Sequence, residues 1–223
     1  MSEVEAGYRQ LQYRRGPGAT EILLIRHGES AAAVPGEVPM LDGHGDPPLH
    51  PDGERQAERI AARLAHEQFA AIYVTNLCRT AQTAAPLAAK LGLTPGVEPD
   101  LREVFLGSWD GGLYRRHMSE GHPVAKQMIA EQRWDVIPGA EPADSFAARV
   151  HAGLSRITAR HPDGRVAVFT HGGVIGQALA EASGARPFAF LGADNASISE
   201  LIIAPDRWQI RRYNDTAHLD GLR

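Results

Sequence analysis

Two short apolar runs in this chain each end in His-Gly. Glu21-Ile22-Leu23-Leu24-Ile25 runs into Arg26-His27-Gly28, and Val166-Ala167-Val168-Phe169-Thr170 runs into His171-Gly172-Gly173. A lone histidine after a strand is ordinarily a satisfied structural residue. Two in the same context, one preceded by arginine, describe one pocket with two imidazoles and a guanidinium. Such a pocket suits a phosphate, because a guanidinium offers a planar fork of donors to its oxygens. Arg79 is a further candidate. It falls in the first turn of an expected helix, where a cation opposes the helix dipole, and such local conflicts concentrate at functional sites. For a proton-transferring carboxyl the chain offers two residues, Glu103 and Asp110. Both lie in an irregular stretch of acids, large apolar groups and glycines, where burial would raise a carboxyl pKa.

Other chemistries are poorly served. Asp42-Gly43-His44 followed by Asp46 has an Asp-x-His spacing that could hold a divalent metal. It sits in a loop with no strand before it, and the chain has no Gly-Asn-His. Cys78 would need an arginine six residues on to act as a phosphatase nucleophile, and Ala84 is there; it reads as a packing residue at a helix start.

The elements that must position these groups follow from periodicity. A short continuous apolar run between turn signals reads as a buried strand, and such runs suit parallel sheets covered on both faces. Sites of open parallel sheets gather at strand carboxyl ends, where Arg26, His27 and His171 fall. Gly28 is expected to give a sharp turn or a close approach to ligand. Residues 31–49 form a long loop facing substrate. Helical spacing of Ala57, Ile60, Ala61 and Leu64 predicts a helix over 52–67. A strand over 71–74 leads into a helix over 77–91, capped from Thr75-Asn76 and ended by Gly92. A polar helix over 113–134 carries Arg115, Arg116, Lys126 and Arg133. Pro138 to Pro142 is a turn, and helices are expected over 143–160 and 174–183. Strands over 198–203 and 208–213 are joined at Pro205-Asp206 in a hairpin-like turn. This order predicts an α/β fold: a three-layer sandwich with a mostly parallel central sheet, an antiparallel edge strand and helices on both faces. Residues 1–20 are read as a surface arm or edge strand, and 21–223 as one domain.

The chain has 223 residues, 43% of them hydrophobic and 22% charged, in keeping with a globular protein. A formal net charge of −4 argues against a nucleic-acid binder relying on bulk positive charge, so any anion site must be a local cluster. One cysteine permits no internal disulfide, which fits a reducing compartment. No apolar run approaches the length of a membrane helix, and the N-terminus shows no secretory apolar region. A cytoplasmic location is expected.

Taken together, these blocks resemble the histidine phosphatase superfamily, the phosphoglycerate mutase-like proteins. The signature is Arg26-His27-Gly28-Glu29-Ser30. Leu77-Cys78-Arg79-Thr80-Ala81-Gln82-Thr83-Ala84, Leu101-Arg102-Glu103 with Gly107-Ser108-Trp109-Asp110-Gly111, and Thr170-His171-Gly172-Gly173 follow in order. Weaker matches are Pro48-Leu49 with Gly53 and Gln56, Gly139-Ala140-Glu141, and the tail 214–219. The match covers about residues 21–219, so 21–223 would form a single catalytic domain.

The resemblance implies a phosphatase that hydrolyses a small-molecule phosphate monoester through a phosphohistidine, without metal or other cofactor. It implies His27 as nucleophile and Glu103 as general acid, then base. Arg26, Arg79 and His171 become the phosphate clamp, with Ser30 and Gly172 beside it. Phosphoglycerate mutase-type transfer and a non-catalytic phospho-ligand binder are the alternatives. The expected partner is a small phosphorylated metabolite, with no nucleic acid and no membrane, leaving room for a homodimer. Three positions depart from the family pattern. Ala33 stands where Asn is common, Ser30 where Thr is usual, and His50 where Thr often follows the leucine.

Overall fold

The computed structural model describes residues 10–222. In chain order it contains β1 (Thr20–Arg26), β2 (Met40–Leu41), β3 (His44–Gly45), α1 (Pro51–Leu64), β4 (Ala71–Val74), α2 (Cys78–Leu91), β5 (Gly96–Val97), α3 (Leu113–Glu120), α4 (Pro123–Glu131), α5 (Ala143–Arg160), β6 (Arg165–Thr170), α6 (Gly172–Ser183), β7 (Ile198–Ala204) and β8 (Arg207–Asp215). Single 3₁₀ turns fall at Pro99–Leu101, Gly107–Trp109, Trp134–Val136 and Ala217–Leu219. The main sheet has the order β5-β4-β6-β1-β7-β8. β5, β4, β6 and β1 are parallel, β7 runs against β1, and β8 runs against β7.

The unbroken apolar run of β1 has a simple cause: both of its faces are covered. Ile22 and Leu24 join Val166 and Val168 under α5 and α6, in a core with Phe146, Val150, Leu154 and Ile157. Leu23 and Ile25 join Ala167 and Phe169 on the other side, against Ile60 and Leu64 of α1 and Leu87 of α2. Burying such aliphatic side chains is the main favourable term in holding the layers together, about 1.5–3 kcal/mol each.

Register delivers the two histidines to one place. Arg26 pairs with Thr170 at the end of the β1–β6 ladder, so His27 and His171 leave the sheet side by side. The helix after each parallel strand starts at this same carboxyl edge, as open α/β sheets require.

Several expectations shift. The helix expected over 52–67 ends at Leu64, and that expected from 174 begins at Gly172. The helix expected over 113–134 is two helices. Gly121, at φ 66°, closes α3, and Pro123 opens α4 after the capping His122. Asp42 and Gly43, at φ 48° and 84°, are the turn of the β2–β3 hairpin, not part of a plain loop. Residues 1–9 of the expected arm lie outside the described residues. Residues 10–18 contain no strand, and Arg15 donates to the carbonyl of Asp163. No described helix is long and apolar enough to cross a membrane.

Candidate active site

His27 is tied down through its backbone. Its N–H donates to Thr170 O, and its carbonyl accepts from Asn195 Nδ2 and from Ala196 N. Gly28 next to it adopts no left-handed conformation. Its task is a close approach: a Cβ there would stand 2.5 Å from Gly53 O, and one on Gly53 would meet Glu29 O at 2.0 Å. The expected ligand approach is therefore an approach to the first turn of α1. Thr83 and Gln56 complete the anchorage, accepting from the N–H groups of Gly28 and Glu29.

Tautomers follow from the partners. His27 Nδ1 lies 2.7 Å from Gly28 O. A carbonyl only accepts, so Nδ1 carries the proton and Nε2 keeps its lone pair. His171 is the reverse. Arg79 donates to its Nδ1 at 3.3 Å, which leaves Nε2–H for Thr75 Oγ1 at 3.0 Å. The two rings stand 5.3 Å apart at an angle of 60°. Burial, with Arg79 and other cations nearby, holds both imidazoles well below the ordinary histidine pKa. Both are neutral at physiological pH.

The guanidinium groups converge on the same cavity. Arg26, on β1, donates from one end to Ala193 O, while its buried Nε has no partner among the described residues. Arg79 enters from the start of α2 and also donates to Gly45 O, with Asp46 Oδ1 at 3.6 Å. That carboxylate and the sequestered site account for an unfavourable cation in the first turn of α2. Gly172, at the start of α6, leaves ordinary van der Waals room for Arg26, and the N-terminus of α6 itself favours an anion.

The two candidate carboxyls differ in the charges they act on: Glu103 faces both Arg26 and Arg79. Both oxygens of Asp110 are occupied by loop backbone, accepting from Gly45 N at 3.1 Å and Leu106 N at 2.7 Å. Burial pushes its pKa up, partly offset by those bonds. Glu103 likewise accepts from two backbone N–H groups, Val104 N at 3.0 Å and Gly173 N at 3.3 Å, and both carboxyls border the cavity. The Glu103 carboxylate comes close to α6: a Cβ on Gly173 would stand 2.4 Å from Oε1, so a side chain there would displace the carboxylate. The irregular segment that carries Glu103 is clamped from behind. Arg149 donates to the carbonyls of Asp100, Arg102 and Glu103 and pairs with Glu141 at 2.7 Å.

The cavity measures about 310 Å³, at the small end of ligand pockets. Arg26, His27, Ser30, Arg79, Glu103 and Gly172 border it, as do Trp109, Tyr114 and Trp134. Ala33 does too, packed towards Gly112. His171 lies behind the cavity wall, fully buried, and reaches the site through its contact with Arg79. His50, the third departure, caps α1 through Nδ1.

Of the four cations at 115–133, only Arg115 lines the pocket. Arg116 and Arg133 pair with Glu120 and Asp135, and Lys126 is exposed. Thr75, expected as a cap of α2, instead holds His171, while Leu77 is the N-cap; Asn195 and Arg149 carry no local signal of their roles. Gly173 belongs to the His171-Gly172-Gly173 run.

The rival metal triplet is otherwise engaged. His44 is buried and accepts from Arg102 Nε at 3.1 Å, with its pKa pushed down to about 4 by burial and arginines. Asp46 accepts from Cys78 N at 2.8 Å. The Cys78 thiol, raised to about 11 by burial and Asp46, stays protonated.

A model of the histidine phosphatase superfamily (branch 1) matches residues 22–216. Among curated proteins, the chain is 36% identical to phosphoglycerate mutase-like protein 4 of Arabidopsis thaliana, over 90% of this chain and 87% of that one. It is 33% identical to the metal-independent phosphoserine phosphatase of the same plant, over 91% and 84%. Among solved structures, a mycobacterial glucosyl-3-phosphoglycerate phosphatase superposes with a TM-score of 0.74 at 26% identity, covering 89% of this chain and all of that one.

Proposed function

The chain belongs to the histidine phosphatase superfamily, and on that premise we propose that it hydrolyses a small phosphate monoester through a phosphohistidine at His27 Nε2. The observation that carries this reading is the His27 tautomer. The Gly28 carbonyl ties Nδ1 and leaves Nε2 unprotonated at a cavity flanked by Arg26 and Arg79. Nε2 attacks phosphorus, forming an N–P bond as the ester O–P bond breaks. Glu103, protonated at that moment, gives its proton to the departing alkoxide. As carboxylate it then takes a proton from water, whose oxygen attacks phosphorus, breaks the N–P bond and releases inorganic phosphate. Arg26 and Arg79 hold the phosphoryl oxygens as charge spreads over them. His171 holds Arg79 through Nδ1; an arriving dianion raises the basicity of that nitrogen and allows it to donate. The positive charge in this scheme comes from side chains, so the reaction needs no metal.

Phosphoglycerate mutase-type transfer is the second reading, favoured by Arg115 as a third cation at the pocket. Hydrolysis has the better support. A mutase must hold a second phosphate and a carboxylate while excluding water, yet three of the four nearby cations face elsewhere. Residues 217–219 pack under the second core through Leu219 rather than over the pocket. The deciding experiment offers purified protein, after prolonged chelation, a panel of phosphate monoesters and, separately, 3-phosphoglycerate with its bisphosphate primer. Steady release of inorganic phosphate, unaffected by the chelator, is expected. Interconversion of phosphoglycerates with little phosphate release would favour the mutase, and no turnover of any ester would favour a phospho-ligand binder.

A further inference from the structure

Arg149 stands on α5, off the cavity lining, and every donor of its guanidinium is engaged. Nε donates to Glu141 Oε1 at 2.7 Å, and Nη2 donates to Glu141 Oε2 at 2.8 Å. Nη2 also donates to Glu103 O at 2.9 Å, and Nη1 to Asp100 O and Arg102 O at 2.7 Å each. A guanidinium carries five N–H donors, and these five bonds use them all. None is left for a ligand. The Arg149 and Glu141 side chains are largely buried, at 11% and 15% exposure.

Glu141 holds the next stretch of the same segment. Its N–H donates to Phe105 O at 2.9 Å, and its Oε2 accepts from Phe105 N at 3.3 Å. The pair thus grips the backbone at Asp100, Arg102, Glu103 and Phe105. Residues 103–106 lie in no helix or strand, so no ladder fixes the chain that carries Glu103. Backbone groups outside ladders take their places from side-chain partners. The Glu103 carboxylate bonds to Val104 N, which travels with the segment, and reaches Gly173 N at 3.3 Å. The first bond cannot aim the carboxylate at the cavity. The aim comes from where the backbone stands. A matched apolar pair would avoid the desolvation cost of burying Arg149 and Glu141, yet it could hold none of these peptide groups.

We propose that Arg149 and Glu141 are positioning residues that set Glu103 on the ester oxygen, and so govern protonation of the leaving group without touching substrate. This rests on the hydrolytic reading of the same pocket. Arg149 fixes the Glu103 backbone through three carbonyls, and Glu141 fixes Arg149 and the residues that follow.

Phenyl phosphate and p-nitrophenyl phosphate are the probes. They are similar in shape, but phenoxide needs a proton to leave far more than p-nitrophenoxide does. The burst of released phenol follows phosphohistidine formation, apart from the later attack of water. Its amplitude counts intact sites, so a partly unfolded preparation does not mimic a slow one. Arg149→Lys keeps the positive charge that acts on His171 but offers only three donors from a point. Glu141→Gln keeps the size of Glu141 and loses its charge. In each, the burst rate with phenyl phosphate should fall by about 10–100-fold, the scale of a catalytic group misplaced by about 1 Å. The rate with p-nitrophenyl phosphate should change little, because that leaving group needs little acid help. Glu103→Gln should show the same selectivity. Adding Arg149→Lys to it should remove nothing further, since residues that act through one group are not additive. Parallel losses on both esters would mean a clamp that serves the fold alone and would overturn the proposal, as would an additive loss in the double variant. A wild type inert towards both esters would instead overturn the hydrolytic reading.

Discussion

The ends of β1 and β6 carry the same dipeptide, lie in register and deliver their imidazoles 5.3 Å apart. They differ in which ring nitrogen is tied. At the β1 end a backbone carbonyl accepts a hydrogen bond from His27 Nδ1–H, and the far nitrogen keeps its lone pair. At the β6 end Thr75 Oγ1 accepts a hydrogen bond from His171 Nε2–H, and Nδ1 accepts from Arg79. The chain also leaves the two strands differently. After His27 it folds back onto Gly53, whereas His171 is the residue before α6, whose dipole favours anions. On the proposed mechanism this suits one imidazole to be the nucleophile and the other, behind the cavity wall, to hold Arg79, through hydrogen bonds that the shared dipeptide does not encode.

The largest expected effect comes from removing each imidazole in turn. His27→Ala should lower turnover by at least about 10⁴-fold, as removal of a nucleophile does. His171→Asn should cost roughly 10²–10³-fold, the scale of one transition-state donor. Single-turnover assays on both variants check this; equal losses would erase the distinction. A smaller effect should follow from Thr75→Val, which frees His171 Nε2 while leaving His27 untouched. Turnover should fall by about three- to tenfold, in keeping with one hydrogen bond, with the His27 tautomer unchanged by NMR of the ring nitrogens. A perturbed His27 would mean that the two ends are not independent.

The smallest effect is on stability. Both imidazoles have folded-state pKa values depressed below the ordinary 6.5. The unfolded chain therefore binds protons that the folded chain refuses as pH falls below about 6.5. Their contribution is fully present above that pH and is lost on acidification. The thermal midpoint should be flat above about pH 7 and decline below it. The double variant His27→Ala/His171→Asn should decline less steeply. An equally steep decline would show that the site histidines do not hold these depressed values.

Much of this was legible in the chain because it depends on local pattern. Continuous apolar runs gave β1 and β6, Gly92 marked the end of α2, and the alternation of faces follows from a period of two. Glu103, Arg26, Arg79 and His27 come together at the cavity, with His171 just behind it. Other features depend on contacts between distant segments. The spacing of Gly121 and Pro123 looked compatible with one polar helix until the left-handed cap divided it. Nothing local distinguishes Arg115 from Arg116; a rotation of about 100° along a helix sends one to the pocket and the other to Glu120. Gly28 announced a close approach, but its neighbour, Gly53, belongs to another element. The difference between Glu103 and Asp110 lies in the charges around them, Glu103 being the acid that acts on both Arg26 and Arg79, and no periodicity records that.

The difference between the two strand ends is tested most directly by catching the intermediate. Wild-type protein mixed with ³²P-labelled substrate, quenched in base within milliseconds and digested, should yield one acid-labile, base-stable labelled peptide. Fragmentation should place the phosphoryl group on His27, at Nε2. Label on His171, or hydrolysis of a chiral phosphate ester with inversion and no labelled peptide, would contradict it.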